Sequence, residues 1–359
     1  MLGVSYIPLF LFSTHALFFF FVFFLHFTFS KYPSSKFVNF NDKIVVTKNT
    51  SEVAFNPGVH FALFQYVYYY YFFFLSSFRT FSSTFFLKHI SVENFTFSVY
   101  FCIFIFFLLL SVFFKNIFSG YRDITRSVDF FSVLWLFFFF APFSVFANSL
   151  LTFFFFLEFG SILVILFIIS SKEFFYLNSD TQAPAAAFFN SVFFQFWVSF
   201  FSSILLVFSI LNFFFFFGTT EWVLMNFYFS SLPLVQTFLV KVQLMLTAYL
   251  FLFAVLIKMG VSPFFFFKIE IYKGLPLLVL FFYSVIYFFF FFILVFLIFL
   301  YYLNSILFFF QATIFFFLII AVVVFIVSLF NIFLIKNFFA LSSLINSILF
   351  FFLLFSLAI

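Results

Sequence analysis

The chain has 359 residues, 67% of them hydrophobic and only 7% charged, with a formal net charge of +5 and a mean hydropathy of +1.34. That balance excludes a soluble globular protein, which has to present a largely polar, charged surface to water. A single cysteine, Cys102, and four scattered histidines exclude a disulfide framework and leave no residues at metal-ligand spacing.

The apolar content is dominated by 93 phenylalanines, in runs such as 213–217 and 288–292. Phe partitions into lipid much as Leu does, so the bias reads as drift of the coding DNA toward one codon type, as in an AT-rich organelle genome. Cutting the chain at its polar clusters leaves about ten segments near the ~20 residues that a helix needs to cross a bilayer. The first, 7–30, lacks a basic start and a small-residue cleavage site and reads as a spanning helix, not as a removable signal. The polar stretch 31–58 that follows is too short to bury a core of its own. Next come 59–78, 96–118, 128–147, 149–171, 186–217, 236–267, 275–302, 304–330 and 335–358. Segments 186–217 and 236–267 exceed a straight span and should tilt, break or extend beyond the membrane.

None of these runs alternates polar and apolar residues, which excludes a β-barrel, and backbone groups in lipid must be paired within the segment, which requires helices. The sequence thus predicts an all-α polytopic membrane protein, a single integral membrane domain over 1–359. Orientation follows from the basic residues in the connections. Those after the odd-numbered segments hold Lys31, Lys36, Lys43, Lys48, Lys115, Arg122, Arg126, Lys172, Lys268, Lys273 and Lys336, while the opposite connections hold Arg79, Lys88 and Lys241. The basic side is expected inside and both termini outside. The positive charge is explained by topology, and no nucleic-acid partner is implied.

Two charges are left within apolar runs. Glu158 lies near the middle of 149–171, and is either a protonated acid bonding a neighbouring helix or the partner of a cation. Lys258 follows the apolar run 244–257 and is followed by Gly260 and Pro263, which interrupt helical hydrogen bonding. A charge beside a broken helix is a transporter feature; the alternative is a helix end from which Lys258 reaches the basic interface.

The stretch IKMGVSPFFFFKIEIYKGLP, residues 257–276, resembles the signature of chain 2 of respiratory NADH:ubiquinone oxidoreductase, complex I, in Lys258, Gly260, Pro263, Phe264, Glu270, Gly274 and Pro276. Two further blocks are similar in order and position: 146–167 with Glu158, and 335–351 with Lys336, Ala340, Ser342 and Ser343. The resemblance implies an antiporter-like helix bundle, broken near Lys258, that couples quinone reduction to proton translocation. The chain would then be an enzyme component only as a subunit of the proton-translocating NADH:ubiquinone reductase in the mitochondrial inner membrane. It would bind no cofactor itself; NADH, FMN, iron–sulfur clusters and ubiquinone belong elsewhere in the complex.

In that reading Glu158 and Lys258 form an ion pair whose separation favours proton release and whose closure favours uptake, or else the chain serves the membrane arm as a structural element. Lysines of the family fall here near Phe194 and Gln195 and near Phe288, all uncharged. The implied partners are lipids and other membrane-arm subunits, including a polypeptide supplying the later helices that relatives carry beyond the tenth. A free-standing cation/proton antiporter and a membrane scaffold are the other classes open to the sequence.

Overall fold

A computed structural model describes residues 83–85, 89–118, 128–170, 185–231, 238–261, 264–296, 304–329 and 335–358. The expected helices 7–30 and 59–78 lie outside the described residues. The chain divides into two compact units, residues 1–83 with 92–143, and residues 84–91 with 144–359.

In the first unit, α1 (Asn94–Phe118) and α2 (Val128–Phe143) pack on each other. The start of α1 is fixed by Thr96, whose hydroxyl accepts the Glu93 N–H at 2.9 Å. Phe97, Tyr100, Phe104 and Phe107 recur at helical spacing and are all buried. Phe107 stacks on Phe138 of α2 with ring centroids 4.9 Å apart.

A short hairpin, β1 (Ser83–Phe85) and β2 (Ile90–Val92), all but its end residues Ser83 and Val92 in the second unit, forms in a stretch expected to be a plain connection. A 3-10 turn, Ser144–Phe146, leads into α3 (Leu150–Ser170). Ser149 and Thr152 cap α3 reciprocally: Thr152 N–H donates to the Ser149 hydroxyl at 3.3 Å, and Ser149 N–H donates to that of Thr152 at 3.2 Å. There follow α4 (Ala185–Phe217), α5 (Trp222–Ser231), α6 (Phe238–Met259), α7 (Phe266–Gly274), α8 (Leu277–Phe296), α9 (Asn304–Leu329) and α10 (Ile335–Ala358).

Helix α5 was not foreseen. Its ten residues bury Trp222, Met225 and Phe229 on one face, but a search for membrane-length runs passes over a helix that short. The expected segment 236–267 is not one helix but two elements, because α6 ends at Met259 and α7 begins at Phe266.

Among the described residues, three helices are long and apolar enough to cross a membrane: Leu150–Ser170, Ala187–Phe217 and Phe238–Met259. The described residues form an all-α membrane protein, with one short hairpin among them. Its polarity is arranged accordingly. On α4 the buried positions Ser191, Gln195, Ser199, Ser202, Leu206, Ser209 and Phe213 follow one another at steps of three or four, while Phe193, Trp197, Phe200, Ile204, Phe208 and Leu211 face outward. Polar and small residues inside with aromatics outside is the inverse of a soluble helix and suits a lipid surround. At 33 residues, α4 is about 50 Å long, against ~30 Å of hydrocarbon, so it tilts or projects.

The hydroxyl-lined face of α4 packs along both α6 and α7, which together run antiparallel to it. At one end, Gly274 sits so close to Ala187 and Ser191 that a Cβ there would lie 2.8 Å from the Ser191 hydroxyl. At the opposite end the chain crossings at residues 89, 147–149 and 218–221 meet: Asn148 N–H donates to the His89 carbonyl at 2.9 Å, and Leu150 N–H to that of Thr220 at 2.8 Å.

Candidate functional site

Glu158 and Lys258 are one hundred residues apart in sequence and meet in the second unit, where Lys258 Nζ donates to Glu158 Oε1. Their surroundings differ. Residues 254–259 of α6 are all buried, and the Lys258 side chain is only 2% exposed. Glu158 lies on the margin of the outward stripe Leu151, Phe155, Ile162, Leu166 and Ile169 of α3, and its side chain is 25% exposed. The carboxylate thus reaches inward from the edge of its helix toward an ammonium that has nowhere else to go.

A third group completes the arrangement. Ser203 of α4 donates its hydroxyl to Glu158 Oε1 at 2.7 Å and lies 3.4 Å from Lys258 Nζ. The same hydroxyl is 2.6 Å from the Ser199 carbonyl one turn back. Three helices therefore supply one atom each to a compact polar centre. Gly160 permits the fit on the neighbouring turn of α3, since any side chain there would run into the Phe290 ring of α8.

The helix break beside Lys258 has a definite chemistry. Gly260 has φ +60°, and two bonds close the end of α6: Val261 N–H to the Leu256 carbonyl at 3.1 Å, and Gly260 N–H to that of Ile257 at 3.0 Å. This is the Schellman arrangement, in which a left-handed residue just past the helix satisfies its last carbonyls. Lys258 is thus on the final turn of α6. It does not snorkel to an interface; it is buried. Ser262 and Pro263 lie outside the described residues.

Lys268 corrects the sequence reading. Counted there among loop charges of the basic side, it is buried in the first turn of α7, at 4% exposure. Its stem passes over Gly260, where a Cβ would stand 2.6 Å from Lys268 Cε. The basic connection instead presents Lys273, paired with Glu270 at 2.6 Å, and Lys336, whose Nζ donates to the carbonyls of Lys273 at 3.2 Å and Leu275 at 2.7 Å. Lys336 in this way caps the C-terminus of α7 from α10.

Gln195, one of the uncharged positions where a family lysine falls, is buried on α4 and accepts the Tyr283 hydroxyl at 3.2 Å. The Tyr283 ring meets Tyr272 of α7 edge-on at 5.8 Å. Phe194 faces outward. Phe288 is on α8, and its side chain is outside the described set. On α10, Ala340 and Ser347 are buried, and the helix packs on α7, α8 and α9 of the same unit.

Sequence reading missed Ser203, Lys268, Tyr272 and Tyr283. A signal for the first existed in the recurrence of Ser and Gln along α4 at 191, 195, 199, 202 and 209. The two tyrosines carry none, since their pairing joins residues on separate helices.

Chemically the centre is a carboxylate, an ammonium and a hydroxyl in a low-dielectric bundle. Proton exchange is the reaction open to it, because each group can pass a proton to its neighbour without a diffusible intermediate. Among the described residues no group of His, Cys, Asp and Glu is placed to hold a metal ion.

No family model matches the chain. It is 48% identical over 65 residues to an uncharacterized mitochondrial protein, ORF4, of Paramecium tetraurelia. The match takes in 18% of this chain and 42% of that relative, so the chain spans under half of its length.

Proposed function

We propose that the chain is a membrane-arm subunit of respiratory complex I in the mitochondrial inner membrane, where the Glu158–Lys258 pair takes part in proton translocation coupled to NADH:ubiquinone electron transfer. The observation that carries this reading is the ion pair itself, formed between helices beside the Gly260 break and bonded by Ser203. An intramembrane ion pair is costly to assemble, and replacing it with apolar residues is often neutral or stabilising, so its presence calls for a reason other than stability. The likeness to a mitochondrial protein of Paramecium tetraurelia supports the organelle. The three sequence blocks that resemble complex I chain 2 support the complex.

In this mechanism Ser203 holds the carboxylate in place while Lys258 moves between paired and unpaired positions. Closing the pair draws a proton onto Lys258; opening it in low dielectric leaves an unshielded ammonium that gives the proton up. We place the movement at the turn of Gly260, which ends the helix that carries Lys258. The redox cofactors and the subunits that drive the movement lie outside this chain. Native electrophoresis of solubilised mitochondrial membranes tests the reading: the chain should co-migrate with NADH dehydrogenase activity, and migration apart from it refutes membership of complex I.

A further inference from the structure

We propose that the Ser203 hydroxyl is a two-position switch that ties the charge of Glu158 to the backbone of α4. It donates to Glu158 when that group is a carboxylate, and to the Ser199 carbonyl when Glu158 carries a proton. Ser203 is then a positioning residue, whose own proton never leaves its oxygen. The inference rests on the proton-exchanging reading of the Glu158–Lys258 pair and adds to it a helix that carries neither charge.

A hydroxyl has one proton to give, and that of Ser203 has two acceptors within reach. Glu158 Oε1 is 2.7 Å away and the Ser199 carbonyl 2.6 Å away. An ionised carboxylate is the stronger acceptor, because charge-assisted hydrogen bonds are roughly twice as strong as neutral ones. In the closed pair Lys258 Nζ donates to the same carboxylate oxygen and, at 3.4 Å, to Ser203 Oγ. The serine oxygen thus accepts from the ammonium and gives its proton to the carboxylate.

Moving the shared proton from Lys258 Nζ to Glu158 Oε1 leaves an amine and an acid, with no change in total charge. The acid is now a donor and can bond Ser203 Oγ, so Glu158 stays in place. The Ser203 proton then turns about one bond to the Ser199 carbonyl.

That carbonyl has no lone pair to spare. One serves the helix ladder, whose donor is the N–H four residues on. The other takes the buried Ser202 hydroxyl at 2.8 Å. A third donor therefore weakens the ladder bond, and serine bonding back to the preceding turn is a recognised cause of helix bending. Residues 199–203 are at the middle of the 33 residues of α4, where a bend displaces both ends of the helix. Since α4 packs along both α6 and α7, a proton on Glu158 is felt well beyond the pair.

The test measures the bend in the full chain in lipid nanodiscs, with Cys102→Ser and spin labels at Phe193→Cys and Leu211→Cys. Both sites are exposed, on one face of α4 on either side of the turn, and about 27 Å apart along the helix. The charge-free variant Glu158→Met with Lys258→Met removes the competing acceptor without stranding a charge, and so holds the Ser203 proton on Ser199. Its label separation, read by pulsed electron resonance, should differ from wild type by about 3 Å for a bend of about 20°. Adding Ser203→Ala should restore the wild-type separation, whereas adding Ser203→Thr, which keeps the hydroxyl, should leave the shift in place. Loss of packing alone would not distinguish these two. A charge-free variant with the wild-type separation, or a shift that survives Ser203→Ala, overturns the proposal. Either result leaves membership of complex I to its own test, co-migration with NADH dehydrogenase activity.

Discussion

Glu158→Gln keeps the shape of the side chain and removes its charge, leaving the Lys258 ammonium at 2% exposure beside a neutral amide and the Ser203 hydroxyl. Breaking a buried ion pair from one side costs about 3–5 kcal/mol, because the remaining charge is uncompensated. The reverse change, Lys258→Met, should cost less, about 1–3 kcal/mol, because the surviving carboxylate is 25% exposed and keeps the Ser203 hydroxyl at 2.7 Å. The double variant Glu158→Gln with Lys258→Met leaves no charge behind and should be more stable than Glu158→Gln alone. Reversible unfolding in mixed micelles, followed by tryptophan fluorescence, measures all three. Equal losses for the two single variants, or a double variant whose loss is the sum of theirs, would refute the burial asymmetry and the direct pairing on which it depends.

Ser203→Ala should destabilise by about 1 kcal/mol, the worth of one hydrogen bond, and raise the infrared frequency of the Glu158 carboxylate stretch; an unchanged band would place the hydroxyl elsewhere. The two left-handed glycines should respond unequally. Gly218→Ala, with φ +66° and open space around it, costs only the conformational penalty of about 1–2 kcal/mol. Gly260→Ala adds a collision with Lys268 and Phe267, whose side chains must shift, and should lower the yield of assembled protein further than Gly218→Ala does; equal yields would argue against the close passage of Lys268. Lys336→Met leaves the carbonyls of Lys273 and Leu275 without their charged donor and should cost about 1–2 kcal/mol. Its signature is faster amide exchange confined to α7, and exchange unchanged there would show that Lys336 does not hold the helix end.

The long helices were legible because each is a single apolar run closed by polar residues. Leu150–Ser170 and Ala185–Phe217 begin and end where Ser149, the polar stretch 172–182 and Gly218 interrupt the pattern. The end of α6 was legible for a different reason: Pro263 cannot continue a regular helix, and Gly260 before it readily takes the left-handed φ that ends one. The short elements were not. Helix α5, at ten residues, is too short to stand out as a membrane-length run, and the three-residue strands of the hairpin exist only because each pairs with the other. Lys268 was misplaced since a count of charges along the chain treats every lysine near a helix end as an interface residue. Nothing local says that Gly260, eight residues earlier, leaves a channel for its stem.

Composition alone thus determines that this chain lives in a membrane, and residue type alone marks Glu158 and Lys258 as charges needing a reason to be there. Which charges meet was decided by the tertiary structure. Helix α4, with its serines turned inward, draws α3 and α6 close enough for Ser203 to touch the pair, and the turn at Gly260 carries Lys268 back over the end of α6. A charge in lipid is costly wherever it stands, so a sequence can reveal that cost. The groups that offset it come from helices a hundred residues away, and packing alone selects them.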